Sequence, residues 1–393
     1  MWRARRWRTS DEDIADKEDT ERRIEEFWRG FSEVERSIRA VFTRAGNFDL
    51  AGWMQDALQG IDSELMWEFG PAAKHDGHRL IVTPESRRDL RPLAEEIVRR
   101  APSISGWEFY AYRLAEDIVT ARATVQGRCG SPTDLSSVAV VPGADNQLDL
   151  VFRGPSGSPS DSGTTTHQAF VLAECLLGEE ILDKWIGFID AEPDGDPPER
   201  TEVSLEDLQD TVRAHIEAIR RGLPERPYSE MADPCKWTLL ELKPQKAPDY
   251  AEQHDLFIAR TPNVDLWRAA HAANFCDERF SRHGEVFCYL KLDGSQPLEH
   301  EKFADKAEIE DALDAALKPL QLGGTIGGGS GLRYSYIELA LLDIDRAISK
   351  CRRSLAEGGV PLNSWLLFHN PDLEHQWVGI YDETPPPPAN AVD

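Results

Sequence analysis

Gly323-Gly324-Thr325-Ile326-Gly327-Gly328-Gly329-Ser330-Gly331 runs directly into Leu332-Arg333-Tyr334-Ser335-Tyr336-Ile337-Glu338-Leu339. Six glycines in nine residues forfeit much backbone entropy on ordering, so something must require bare backbone there. A phosphate cradle passes from a strand through glycines into the N-terminus of a helix. Here Tyr334, Tyr336 and Ile337 favour strand, and no Gly-Lys-Ser/Thr follows. The run therefore reads as a strand entry or hairpin that bends sharply or lets another backbone approach. Direct ligand contact is the second reading.

Working outward, apolar, aromatic and β-branched runs predict strands at 286–292, 334–342 and 365–368, with helices at 307–317 and 344–355 between them. That order resembles part of a split βαβ, or ferredoxin-like, layout with helices on one face of the sheet. Strands at 237–242 and 256–259 and a helix at 264–275 precede it, and a helix from 204 to 222 comes before these.

The N-terminal half predicts an amphipathic helix through Ile24, Phe27, Trp28, Phe31, Val34, Ile38 and Phe42, and a second one reaching Met66. Strands are expected at 78–84, 107–113, 120–126, 137–141, 148–152 and 185–189. Helices are expected at 92–100 and 165–177. Residues 191–204, rich in proline, glycine and acid, read as a linker, and 153–163 as a surface loop. The expected organisation is a charged tail (1–20), an α+β domain (21–190), the linker (191–204), a second α+β domain (205–382) and an extended, solvated Pro-rich tail (383–393). Each domain should hold a mixed or antiparallel sheet covered by helices.

The chain has 393 residues, enough for two cores. Forty-four Lys and Arg face 70 Asp and Glu, a net charge of −26. Such a surface repels phosphate backbones and anionic lipids, which argues against nucleic acid or membrane and for a basic protein partner. The basic N-terminus is followed by Ser10-Asp11-Glu12-Asp13 where an apolar signal region would begin, and no apolar stretch reaches membrane length. Six cysteines without a Cys-x-x-Cys pair fit a reducing compartment, so a cytoplasmic location is expected.

Chemical motifs are sparse. His75-x-x-His78 and the group His369, Asp372, Glu374, His375 each lack a complete ligand set, and no metal or other cofactor is expected. Ser330 has Gly328 before it but Leu332 after it, so there is no nucleophile elbow. Cys276 and Cys288 sit in apolar contexts, and His167, His215 and His271 fall in expected helices. No catalytic residue is assigned. The aromatic run 107–112 offers either a contact face or the floor under a helix.

At Leu65-Met66-Trp67-Glu68-Phe69-Gly70, at Ala101 to Phe109 and at Leu176-Leu177-Gly178-Glu179, the chain resembles a widespread family of bacterial two-module proteins that carries no assigned activity. The resemblance spans residues 24–190. The segment Tyr334 to Leu339 is similar to the second module of such proteins. The resemblance implies a bacterial cytoplasmic source and brings no catalytic residue to carry over.

These features favour a non-enzymatic protein-binding role of inhibitor or immunity type. A small-ligand or nucleotide sensor using 323–331 is the alternative, and a hydrolase assembled from distant residues a third. Candidate binding residues are Gly327, Gly328, Gly329, Ser330, Arg333, Tyr334 and Tyr336. In a strand starting near Leu332, Tyr334 and Tyr336 share one face and Arg333, Ser335 and Ile337 the other. The tyrosines are expected inward, and Arg333 outward on an accessible face.

Overall fold

The computed structural model describes residues 7, 10–154, 162–193, 201–231, 237–295, 298 and 302–389. Helices and mixed and antiparallel sheets combine into two compact units, an α+β arrangement. One unit comprises 1–111, 225–277 and 283–393, and the other 112–224 with 278–282.

The first unit opens with helix α1 (Asp11–Phe42), which begins inside the segment expected to be a tail. The Ser10 side chain caps it by accepting from the Asp13 amide at 3.2 Å, and Asp11, Glu12 and Asp13 occupy the positive end of the helix dipole. Capping supports a first turn that lacks any apolar stripe. Further along, Ile24, Phe27, Trp28, Phe31 and Ile38 are buried. The short α2 (Leu50–Ala57) is followed by β1 (Met66–Pro71), where the expected helix would have ended. β1 pairs antiparallel with β2 (His78–Thr83), and α3 (Arg91–Arg99) carries the chain over to β3 (Trp107–Tyr110), parallel to β2. Trp107 and Phe109 pack edge-on against Phe31, so the aromatic run is the floor beneath α1.

The same unit carries a seven-stranded antiparallel sheet. Its strands are β8 (Thr238–Glu241), β9 (Leu256–Thr261), β10 (Val286–Asp293), β11 (Gly323–Gly331), β12 (Tyr334–Leu341), β13 (Ser364–Phe368) and β14 (Trp377–Gly379). They lie in the order β14-β13-β10-β12-β11-β9-β8. Helix α8 (Val264–Ala270) follows β9, α9 (Lys306–Leu317) joins β10 to β11, and α10 (Ile344–Glu357) joins β12 to β13. The central four strands with α9 and α10 make a complete split βαβ unit. The glycine run is itself the second strand of that unit rather than a loop. Leu290, Ile337, Leu339 and Leu366 on one face of the sheet form a core with Leu313 and Leu317 of α9 and Ile348 and Leu355 of α10.

The second unit holds α4 (Ile118–Cys129), β4 (Ser137–Pro142), β5 (Leu148–Gly154), α5 (Ser162–Leu177), α6 (Glu179–Trp185), β6 (Ile186–Pro193), β7 (Glu202–Ser204) and α7 (Leu208–Gly222). The sheet order is β6-β5-β4-β7, with β5 and β6 parallel. The expected strand at 120–126 is helix α4. The Asp117 carboxylate accepts from the amides of Val119 and Thr120, both at 2.9 Å, and Gly130 ends the helix in a left-handed conformation.

Residues 191–204 do not divide the units. Leu205, Leu208, Val212 and Ile216 bury into one core with Leu148, Leu150, Phe152 and Leu172, so α7 completes the sheet unit that comes before it. The middle of that expected linker (194–200) and most of the expected loop at 153–163 lie outside the described residues. The expected C-terminal tail is anchored where it begins: Thr384 is buried and the Trp365 indole donates to the Pro385 carbonyl at 2.6 Å.

Candidate functional site

The glycines of β11 are required by their neighbours. β11 runs between β12 and β9, so both of its edges meet another backbone. A Cβ at Gly328 (φ +154) would lie 2.3 Å from the Tyr336 carbonyl oxygen, and one at Gly327 (φ +156) 2.7 Å from that of Arg260. At Gly329 it would meet the Ile258 carbonyl at 2.6 Å, and at Gly331 the Asp255 carboxylate at 2.3 Å. The pairing with β12 shifts between Thr325 and Gly327, a bulge that side chains would obstruct. The close approach expected from the sequence is therefore made by this chain's own strands. Ser330 sits between Ser335 on β12 and Ile258 on β9.

Asp255 organises the β11–β12 turn. It is fully buried, and one carboxylate oxygen accepts from the amides of Arg333 and Tyr334, both at 2.8 Å. The other oxygen accepts a short hydrogen bond from the Tyr336 hydroxyl. Arg333 turns back on the hairpin, pairing with Asp249 at 3.1 Å and Asp293 at 3.3 Å over the ring of Tyr334. It is not a free surface cation. The expected division of the strand into a core face and an accessible face is also overturned. Tyr334 and Tyr336 are buried with Tyr250, Tyr289 and Trp365, and Ile337 is buried beneath the helices, because the segment before β9 covers the second face.

That second face contains charged groups in strands that otherwise look wholly apolar. Lys291, fully buried in β10, donates to the carbonyls of Tyr250 at 2.5 Å and Glu252 at 2.9 Å and stands 4.1 Å over the Tyr334 ring. Burial pushes its pKa down to about 8, against the opposing pull of Asp255. Glu252, which supplies one of these carbonyls, adopts a left-handed backbone (φ +41).

A second group lies further along the sheet. Glu338 accepts from Gln253 at 2.7 Å and pairs with His369 at 2.8 Å. Gln253 in turn contacts His271 at 3.2 Å, whose other ring nitrogen reaches the Trp267 carbonyl at 2.7 Å. Burial works against the Glu338 carboxylate, but His369, with His271 and Gln253, outweighs it and holds its pKa below the ordinary value. Burial, reinforced by His369, lowers that of His271. Beside them Asp277 is raised to about 6 by burial, although it accepts from the Phe287 amide and from Asn370.

The structure thus gathers Gly327, Gly328, Gly329, Ser330, Arg333, Tyr334 and Tyr336 into one hairpin, and it commits the side chains of Arg333, Tyr334 and Tyr336 to partners within the chain. Sequence reasoning missed Gln253, Asp255, Lys291 and Glu338, and weighed His369 only as a metal ligand. The available signal was a charged residue in an apolar strand, as with Lys291 between Leu290 and Leu292 or Glu338 between Ile337 and Leu339. The two histidine groups do not assemble as ligand sets. His75 pairs with Glu108 at 3.3 Å, His369 turns to Glu338, Asp372 pairs with Arg88 at 2.8 Å, and His375 lies 3.7 Å from Asp89. Among the described residues no three His, Cys, Asp or Glu side chains are placed to hold a metal ion. Among them, too, no helix is long and apolar enough to cross a membrane.

No family model, curated protein or solved structure matches this chain. A functional reading therefore rests on its residues and their arrangement.

Proposed function

We propose that this is a non-enzymatic binding module, of inhibitor or immunity type, that captures a basic protein partner. The observation that carries the reading is the charge of −26, set beside a hairpin whose Arg333, Tyr334 and Tyr336 side chains are spent on internal bonds. What remains available to a partner is the acidic exterior. Complementary charge speeds encounter and penalises wrong partners more than it adds raw affinity. A cytoplasmic setting belongs to the same proposal. The sensor reading loses the loop it needed, since β11 lies between two strands and presents no helix N-terminus to an anion.

The hydrolase reading draws on one arrangement, the Glu338–His369 pair with His271 beyond Gln253. The deciding experiment is affinity capture with the full chain from its source cells, at low and at high salt. One basic protein, recovered in stoichiometric amount at low salt and lost at high salt, is the expected result. Recovery of no partner at either salt, together with thermal stabilisation by a nucleotide or metabolite panel, would replace this reading with the sensor.

A further inference from the structure

The two edges of the seven-stranded sheet are treated differently. At β14 the chain turns back over its own edge: Ile380 and Thr384 are buried, and Thr384 packs against Gly379. At the opposite edge, among the described residues, β8 pairs only with β9. Its register with β9 is regular, from Thr238 opposite Thr261 to Glu241 opposite Ile258. The strand Thr-Leu-Leu-Glu is short and ends on the charged Glu241, and Lys243 and Pro244 follow it, but no proline, lysine or bulge lies within the paired residues.

The direction of its backbone groups follows from one bond. The Leu242 amide donates to the Phe257 carbonyl at 2.9 Å, so it points at β9. Successive residues alternate, so Leu240 also faces β9, while Leu239 and Glu241 turn their amides and carbonyls outward. The side chains beside this row are unusually bare. Leu239 is 61% exposed and Trp237 42% exposed. Both lie on the side of α9, because Arg260, opposite Leu239, sits 4.8 Å over the Trp237 ring and bonds Glu310 of α9. Glu241 shares that side and is exposed.

We infer that the outer edge of β8 takes up an extended segment of a partner protein as an eighth strand, a segment in which apolar residues alternate with lysine or arginine. Main-chain bonds to Leu239 and Glu241 would supply the docking. Trp237 and Leu239 would receive the apolar side chains, and Glu241, within a chain of net charge −26, would select for cations. This inference rests on the proposed capture of a basic protein and names where on the surface it occurs.

The test uses the full chain and three blocked octapeptides: alternating valine and lysine, alternating valine and glutamate, and the valine–lysine peptide N-methylated on alternate residues. Amide exchange and tryptophan fluorescence are followed. The valine–lysine peptide is expected to slow exchange at Leu239 and Glu241 and to perturb Trp237, while the other two do neither. Leu239→Pro removes only an outward amide and should weaken binding at least about tenfold. Glu241→Lys, which leaves the backbone intact, should weaken it too, so a folding defect in the proline variant does not decide the matter. Unchanged exchange at saturating peptide, or equal binding of the glutamate peptide, would overturn the inference. A dimer abolished by Leu239→Pro would also overturn it and assign the edge to a second copy. If the peptide fails but a salt-sensitive basic partner is still captured, only the location falls. If the peptide binds but no basic partner exists, the proposed function falls instead.

Discussion

Gly328 shows most plainly how the hairpin is constrained. A methyl group there would meet the Tyr336 carbonyl oxygen at 2.3 Å, and backbone cannot yield as a side-chain tip can. Gly328→Ala should cost more than about 3 kcal/mol of stability, read from the denaturant midpoint. A loss below about 1 kcal/mol would mean that β11 is not clamped between its neighbours. Arg333→Ala removes one partner of Asp293, which keeps the Ser295 amide and Asn363. The expected loss is about 1–2 kcal/mol, more than a free surface cation would give. For Lys291 the sign can be worked out. Its folded-state pKa of about 8 lies below the ordinary 10.5. Between these values the unfolded chain holds a proton that the folded chain has released, so stability contributed by this site rises with pH across that window. Measured against Lys291→Met, the wild type should therefore gain stability from pH 8 towards 10.5, and a flat difference would place the lysine in a wetter setting.

At the scale of elements, the split βαβ order was legible because β10, β12 and β13 are short apolar and aromatic runs while α9 and α10 repeat apolar residues at helical spacing. β11 was less so, since glycine has no side chain to alternate and its strand character comes entirely from β9 and β12. The segment 118–129 shows the opposite failure. Ile118, Val119, Thr120 and Thr124 suggest a strand, but Asp117 and Gly130 cap it as a helix. Asp117→Ala should destabilise the second unit by about 1 kcal/mol, seen as an earlier thermal transition. No effect would show that packing alone holds α4. The charged groups beneath the hairpin were hidden for a further reason. Gln253 and Asp255 lie far in sequence from Glu338 and Tyr336, and only the chain crossing before β9 brings them together.

On the scale of the whole molecule, the acidic Pro/Gly segment looked like a domain boundary because its composition is that of a linker. Composition, however, does not reveal which core the following helix will join. A fragment starting at residue 205 would strip Leu208, Val212 and Ile216 from their core partners. It should bind a hydrophobic dye and lack a cooperative transition, whereas a compact, cooperatively melting fragment would restore the boundary at 191–204. The same scale governs recognition, since a charge of −26 acts over distances that no single side chain spans. The most direct measurement is the association rate of the captured basic partner as a function of ionic strength. The proposal predicts a rate constant that falls steeply with salt while dissociation changes little. An association rate indifferent to salt would contradict it.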